Sequence, residues 1–134
     1  MKKKLNSETQ LKLLLWFVMF HSFANGVGLI IQIPAVMHFF GFSGCHEHFF
    51  PAQGGTFHVV MAIGYGMAAW DPNKYRCLII FSIIVKLCAM VFLLTYYFFC
   101  ESIWTLLFSG IVDGLMGIFL FYFYKKYMTD IEQA

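Results

Sequence analysis

Charge is scarce in this chain. Asp, Glu, Lys and Arg make up 12% of its 134 residues, against about 25% in an ordinary globular domain, and that shortage excludes a water-soluble fold with a solvated face on every element. Proline occurs only three times, at Pro34, Pro51 and Pro72, so long helices run without a breaker. The apolar segments lack the strict alternation of barrel strands, which excludes a transmembrane β-barrel. No C-x-x-C pair is present among the four cysteines, and with it goes a thioredoxin-like redox motif. The formal charge of +2 is small and dispersed, which excludes nucleic acid as a partner.

What is present is apolar: 60% hydrophobic residues, 20% of the chain being aromatic. A hydrocarbon core of about 30 Å takes roughly 20 apolar residues in a helix, and four segments come close, at 11–33, 52–70, 75–97 and 102–124. The expectation is an all-α integral membrane four-helix bundle, a single transmembrane domain over residues 1–134 whose first partner is the lipid bilayer. Three lysines, an apolar run through Phe20 and the triplet Ser22-Phe23-Ala24 have the outline of a secretory signal. Apolar character continues through Ile31, however, and a segment that long favours a retained helix.

Lys2, Lys3, Lys4 and Lys12 flank the first segment, Lys74 and Arg76 lie between the second and third, and Lys125 and Lys126 follow the fourth. Connections 34–51 and 98–101 hold no Lys or Arg. With four spans all basic segments fall on one side, which predicts cytoplasmic N- and C-termini, in the cytoplasmic (inner) membrane if the source is bacterial. Trp16, Trp70, Tyr75 and Tyr124 near one surface, and Tyr96, Tyr97 and Trp104 near the other, agree with aromatic belts.

Two ionisable residues break the apolar pattern at matching depth. Lys86 lies near the middle of the third segment and Asp113 near the middle of the fourth. A lone charge at the centre of a membrane helix costs about 2.5–3.5 kcal/mol on the most lenient scale; a mutual pair offsets much of that. The short link between these segments makes them antiparallel neighbours, so the two side chains can meet. In the first segment His21, Asn25, Gly28 and Gln32 recur at helical spacing, and the expectation is that this face points into the bundle. His58 and Tyr65 share a face of the second. At about 1.5 Å of rise per residue, His21, Asn25, His58, Lys86 and Asp113 fall within roughly 6 Å of the midplane or just outward of it. One polar cluster follows: a ligand site, or only interhelical hydrogen bonds that hold the helices together, worth about 0.6 kcal/mol each on average.

Three further features are expected. Gly110, Gly114 and Gly117 give the fourth helix a small surface suited to close packing inside the bundle. Asp71 is placed to cap a helix beginning at Pro72. The phenylalanine-rich connection 34–50 should lie against the outer interface as a lid. It carries His38, Cys45, His46 and His48, residue types that bind zinc or copper, but in one short run, without the separated ligand pairs of a metal motif; no metal is assigned. Cys45 and Cys100 fall on the same side, where an oxidising compartment would allow a disulfide.

Gly64-Tyr65 followed by Ala68-Ala69-Trp70-Asp71-Pro72, then Lys86, then Asp113-Gly114 resembles the small four-helix membrane proteins grouped around the DoxX-like families. The resemblance covers about half of the chain, from Gly64 to Phe121. It implies a four-helix membrane fold, marks Asp71, Pro72, Lys86 and Asp113, and brings a link to quinone-dependent oxidation of sulfur compounds known for some DoxX-type members. The leading functional expectation is a membrane protein that binds a small amphipathic ligand, a quinone or lipid, at the polar cluster, as a redox accessory. The alternatives are a structural or assembly subunit, within a homo-oligomer or a membrane complex, and an isomerase-like enzyme that uses the same cluster for proton transfer. No cofactor is assigned.

Overall fold

The computed structural model describes residues 6–42 and 48–133. They are all-α: α1 (Ser7–Ile31), α2 (Pro34–Phe39), α3 (Phe49–Trp70), α4 (Arg76–Phe99) and α5 (Trp104–Glu132), with no strand among the described residues. Three of these helices are long and apolar enough to cross a membrane, α1, α4 and α5. The expectation of four spans is met on that criterion by three, and the physical reason lies in the composition of α3. It is 22 residues long but carries Gln53, Thr56, His58 and four glycines, which dilute its apolar character.

The four long helices form a ring in which α1 touches α3 and α5, and α4 touches α3 and α5. Among the described residues no Cα of α1 comes within 8 Å of one in α4, nor one of α3 within that distance of α5. Contact is heaviest within the two hairpins, α1 with α3 and α4 with α5, and lightest across the seam between α3 and α4.

Each hairpin is closed by small residues. On α1 the buried line is Ser7, Leu11, Leu15, Val18, Ser22 and Gly26, steps of three and four that make one helical stripe. Opposite Gly26 stands Gly55. A Cβ built on Gly26 would sit 2.7 Å from the Gly55 carbonyl oxygen, and one built on Gly55 would sit 2.6 Å from the Gly26 carbonyl oxygen. The two backbones thus touch directly, as small residues permit in membrane helices. In the second hairpin Gly110 lies under Leu93 and Leu94, Gly114 under Met90, and Gly117 under Leu87. The small surface expected of the fourth helix is used inside the chain.

The apolar core occupies one end of the ring. Leu11, Leu15, Val18, Tyr65, Ala68, Ala69, Ile79, Ile83, Met116, Leu120 and Tyr127 form it, and it lies at the end that carries Lys12, Lys74, Arg76, Lys125 and Lys126, here called the basic end. Lys126 Nζ donates to Gln10 Oε1 across it at 2.9 Å. Pro72 is fully buried there. Asp71 does accept amide hydrogen bonds, from Asn73 at 3.1 Å and Lys74 at 3.0 Å, but it caps a tight turn rather than the next helix, which begins at Arg76 with Tyr75 as its N-cap. The proline and the Asp side chain together favour a compact turn that delays the helix by one turn.

At the far end α1 stops at Ile31, before Pro34 rather than through it, because Gln32 takes a left-handed conformation, φ 50°. Its side chain then clamps the start of α3: Nε2 donates to the His48 carbonyl and Oε1 meets His48 Nδ1, both at 2.9 Å. Pro34 opens the short α2 at its first turn. Phe39 and Phe40 set their rings against Trp104, with centroids 6.2 and 6.3 Å away, and Thr105 Oγ1 donates to the Phe40 carbonyl. Gly41, with φ 87°, passes Ile103 so closely that a Cβ would stand 2.9 Å from its Cγ2. The aromatic connection therefore docks on the first turn of α5.

Candidate functional site

Lys86 and Asp113 meet. Lys86 Nζ donates to Asp113 Oδ1 at 2.6 Å, and the two residues are 3% and 6% exposed. Lys86 is the last buried position of α4 counted from the basic end, after Ile79, Ser82 and Ile83. Asp113 is flanked on α5 by Gly110, Gly114 and Met116. The glycines let α4 lie close enough for the lysine stem to cross to the carboxylate without leaving the helix surface. Both charges stand at the boundary where the apolar core gives way.

Above that boundary lies a half-open cavity of about 340 Å³, lined by Leu29 of α1, by Gly54, Phe57, His58, Met61 and Tyr65 of α3, by Val85, Lys86 and Ala89 of α4, and by Asp113. Its floor is the ion pair together with Tyr65, which is 1% exposed and whose ring centroid lies 5.8 Å from Lys86 Nζ. Its walls are the sparsely packed α3 and α4. The volume lies at the low end of the range usual for small-ligand pockets, roughly 300–1,000 Å³. It suits a single small head group whose remaining length leaves between those two helices.

His58 lines the cavity from the side, and its ring is anchored from behind. Ser22 Oγ donates to the His58 carbonyl oxygen at 3.0 Å and lies 3.3 Å from His58 Nδ1. The serine proton is spent on the carbonyl, so the consistent arrangement has Nδ1–H donating to Ser22 Oγ and leaves Nε2 as a free acceptor. Of the ammonium's three protons one is committed to Asp113. Tyr65 Oη has no hydrogen-bond partner among the described residues, yet no fully enclosed side-chain polar atom is left without one. Tyr65 as a residue lines the cavity. The polar side chains of the lining are thus Lys86, Asp113, Tyr65 and His58.

Of the five residues expected to cluster, Lys86, Asp113 and His58 come together at this cavity, and His21 and Asn25 do not line it. The face of α1 expected to point inward, His21, Asn25, Gly28 and Gln32, is not the one that packs. The buried stripe runs one residue later, through Ser22 and Gly26, because a glycine facing Gly55 gains more contact than the polar residues beside it. Asn25 Nδ2 lies 3.3 Å from His21 Nε2 on the exposed side. Ser22 and Tyr65 were missed as site residues. Ser22-x-x-x-Gly26 is itself a small-xxx-small pair, and Tyr65 shares a face with His58, so the signal for both was present.

The weak metal candidates are scattered or undescribed. His38 is exposed on α2 and His48 is held by Gln32, while Cys45 and His46 lie outside the described residues. Among the described residues no three metal-ligating side chains gather. Cys100 is exposed just past α4; its expected partner, Cys45, also lies outside the described residues.

Comparison with protein-family models, with curated proteins and with solved structures returned no match.

Proposed function

We propose that this chain is a four-span bundle of the cytoplasmic membrane, both termini cytoplasmic, that binds a small amphipathic ligand, a lipid or a quinone, at an intramembrane polar cavity. The observation that carries this reading is the cavity itself: about 340 Å³ with a buried Lys86–Asp113 pair in its floor. An ion pair that served only to hold two helices would be best sealed by apolar side chains, because water or lipid reaching it adds nothing to helix packing. Here both residues line a cavity, though they are only 3% and 6% exposed. Ionisable residues at membrane depth mark functional sites by default.

The fourth span is α3. His58 and Tyr65 line the cavity, the Thr56 hydroxyl is satisfied within the helix by the Ala52 carbonyl, and the two neighbours of α3 in the ring are themselves long and apolar enough to span. Placing the basic end in the cytoplasm satisfies the bias of Lys and Arg. The DoxX-like resemblance, carried by Lys86, Asp113-Gly114 and the Trp70-Asp71-Pro72 turn, points the same way and adds a redox accessory role. A structural or assembly subunit is the second reading, favoured by the complete pairing of the two charges.

The test is mass spectrometry of lipid-soluble molecules that co-purify with the native protein, run beside a Lys86→Met/Asp113→Leu double variant. A quinone or a discrete lipid enriched on the parent and lost from the folded double variant is the expected result. Identical co-purifying profiles on both overturn the ligand-binding reading in favour of the structural one.

A further inference from the structure

The polar groups around the cavity define the charge of what it holds. Lys86 and Asp113 form a mutual pair at 2.6 Å, so the floor has no net charge to offer a ligand. A ligand head that brought a net charge would leave that charge uncompensated in a low-dielectric surrounding, or would have to break the pair and strand one of its members. A neutral head meets no such cost. What the floor still offers is donors: the ammonium protons not committed to Asp113, and the Tyr65 hydroxyl. What the wall offers is one acceptor, His58 Nε2, with Nδ1 held by Ser22.

Resting on the ligand-binding reading above, we infer that the head group recognised here is neutral and presents a carbonyl oxygen to Lys86 and Tyr65, with an adjacent O–H or N–H for His58. Carboxamides and hydroxy-carbonyl groups have this pattern; fatty-acid carboxylates and alkyl amines do not. The carbonyl accepts from the remaining ammonium protons and the Tyr65 hydroxyl, and the ion pair stays intact. The chain behind the head lies between α3 and α4, along Phe57, Met61, Val85 and Ala89, which are all apolar.

The three head types can be compared on one tail. Alkyl probes with a diazirine in the chain and a carboxamide, carboxylate or amine head are incubated with the purified full chain in nanodiscs. After irradiation, labelled peptides from α3 and α4 are quantified by mass spectrometry. The expected result is labelling at residues 57–61 and 85–89 by the carboxamide at least tenfold above the other two, with Tyr65→Phe lowering it about three- to tenfold, the cost of one lost hydrogen bond. Equal or stronger labelling by the carboxylate or the amine overturns the neutral-head inference and leaves the cavity as a binding site. Absence of saturable labelling there by any probe overturns the ligand-binding reading itself. Tyr65→Phe keeps the ring and its packing, and its folding is checked by its elution and thermal unfolding beside the parent.

Discussion

Gly26 and Gly55 each lie against the other's carbonyl oxygen, so that neither position has room for a single further carbon. This reciprocal contact sets the distance between α1 and α3, and with it the place of His58, whose ring and carbonyl are both held by Ser22 one turn before Gly26.

A side chain at Gly26 should therefore separate the first hairpin. Gly26→Val is expected to destabilise the protein by about 1–3 kcal/mol, the usual cost of overfilling a close contact. Gly28→Val, at a position with open space around it, should cost far less. Thermal unfolding in detergent, followed by circular dichroism or a thiol-reactive dye, compares the two; equal losses would mean that the glycine contact does not set helix spacing.

The buried ion pair calls for a double-mutant cycle. Removing one partner of such a pair costs about 3–5 kcal/mol in soluble proteins, whereas replacing both by apolar residues is often near neutral. Lys86→Met and Asp113→Leu should each lower folded yield and thermal stability, and the double variant should recover most of the loss. Stability regained without ligand regained marks the pair as functional. Single variants as stable as the parent would show that the two charges contribute no mutual stabilisation.

Orientation is open to chemical labelling. Cys77 and Cys100 stand near opposite ends of α4, a helix of 24 residues, and both are exposed. In single-cysteine variants a membrane-impermeant thiol reagent applied to intact cells should modify Cys100 and spare Cys77 until the membrane is permeabilised. The reverse pattern would invert the proposed topology.

The far end of the first hairpin depends on one side chain. Gln32→Ala removes both of its hydrogen bonds to His48, each worth about 0.5–1.5 kcal/mol. Hydrogen exchange should accelerate in the first turn of α3, at Phe49–Gln53, and stay unchanged in the core near Tyr65. A uniform acceleration across α3 would mean that the clamp supports the whole helix.

The four long helices, the α4–α5 adjacency and the Lys86–Asp113 meeting were legible in the sequence, because hydrophobic length, a short link and an isolated charge in each helix leave few alternatives; α2, inside the expected connection, and the run of α5 on to Glu132 were not. The inward face of α1 was not. Polar residues at helical spacing, His21, Asn25 and Gln32, look like an inward stripe, but in lipid the strongest contact between helices comes from small residues that let backbones approach. Gly26 and Ser22 therefore decided the rotation of α1, about 100° from the expected one. Asp71 misled for a related reason: its carboxylate can cap a turn as readily as a helix, and composition does not distinguish the two. The cavity, a property of how α3 and α4 diverge, has no signature in one dimension.

The link between α4 and α5, with only Cys100 to Ile103 outside the helices, bears on how the protein is made. Lys86 precedes Asp113 by 27 residues along the chain, so during synthesis α4 is complete before the residue that answers its charge. Partition into lipid as a lone segment is penalised, while partition as a hairpin delivers a neutral unit. Entry of α4 and α5 as one hairpin would spare Lys86 that penalty, whereas α4 entering alone would bear it until Asp113 arrived.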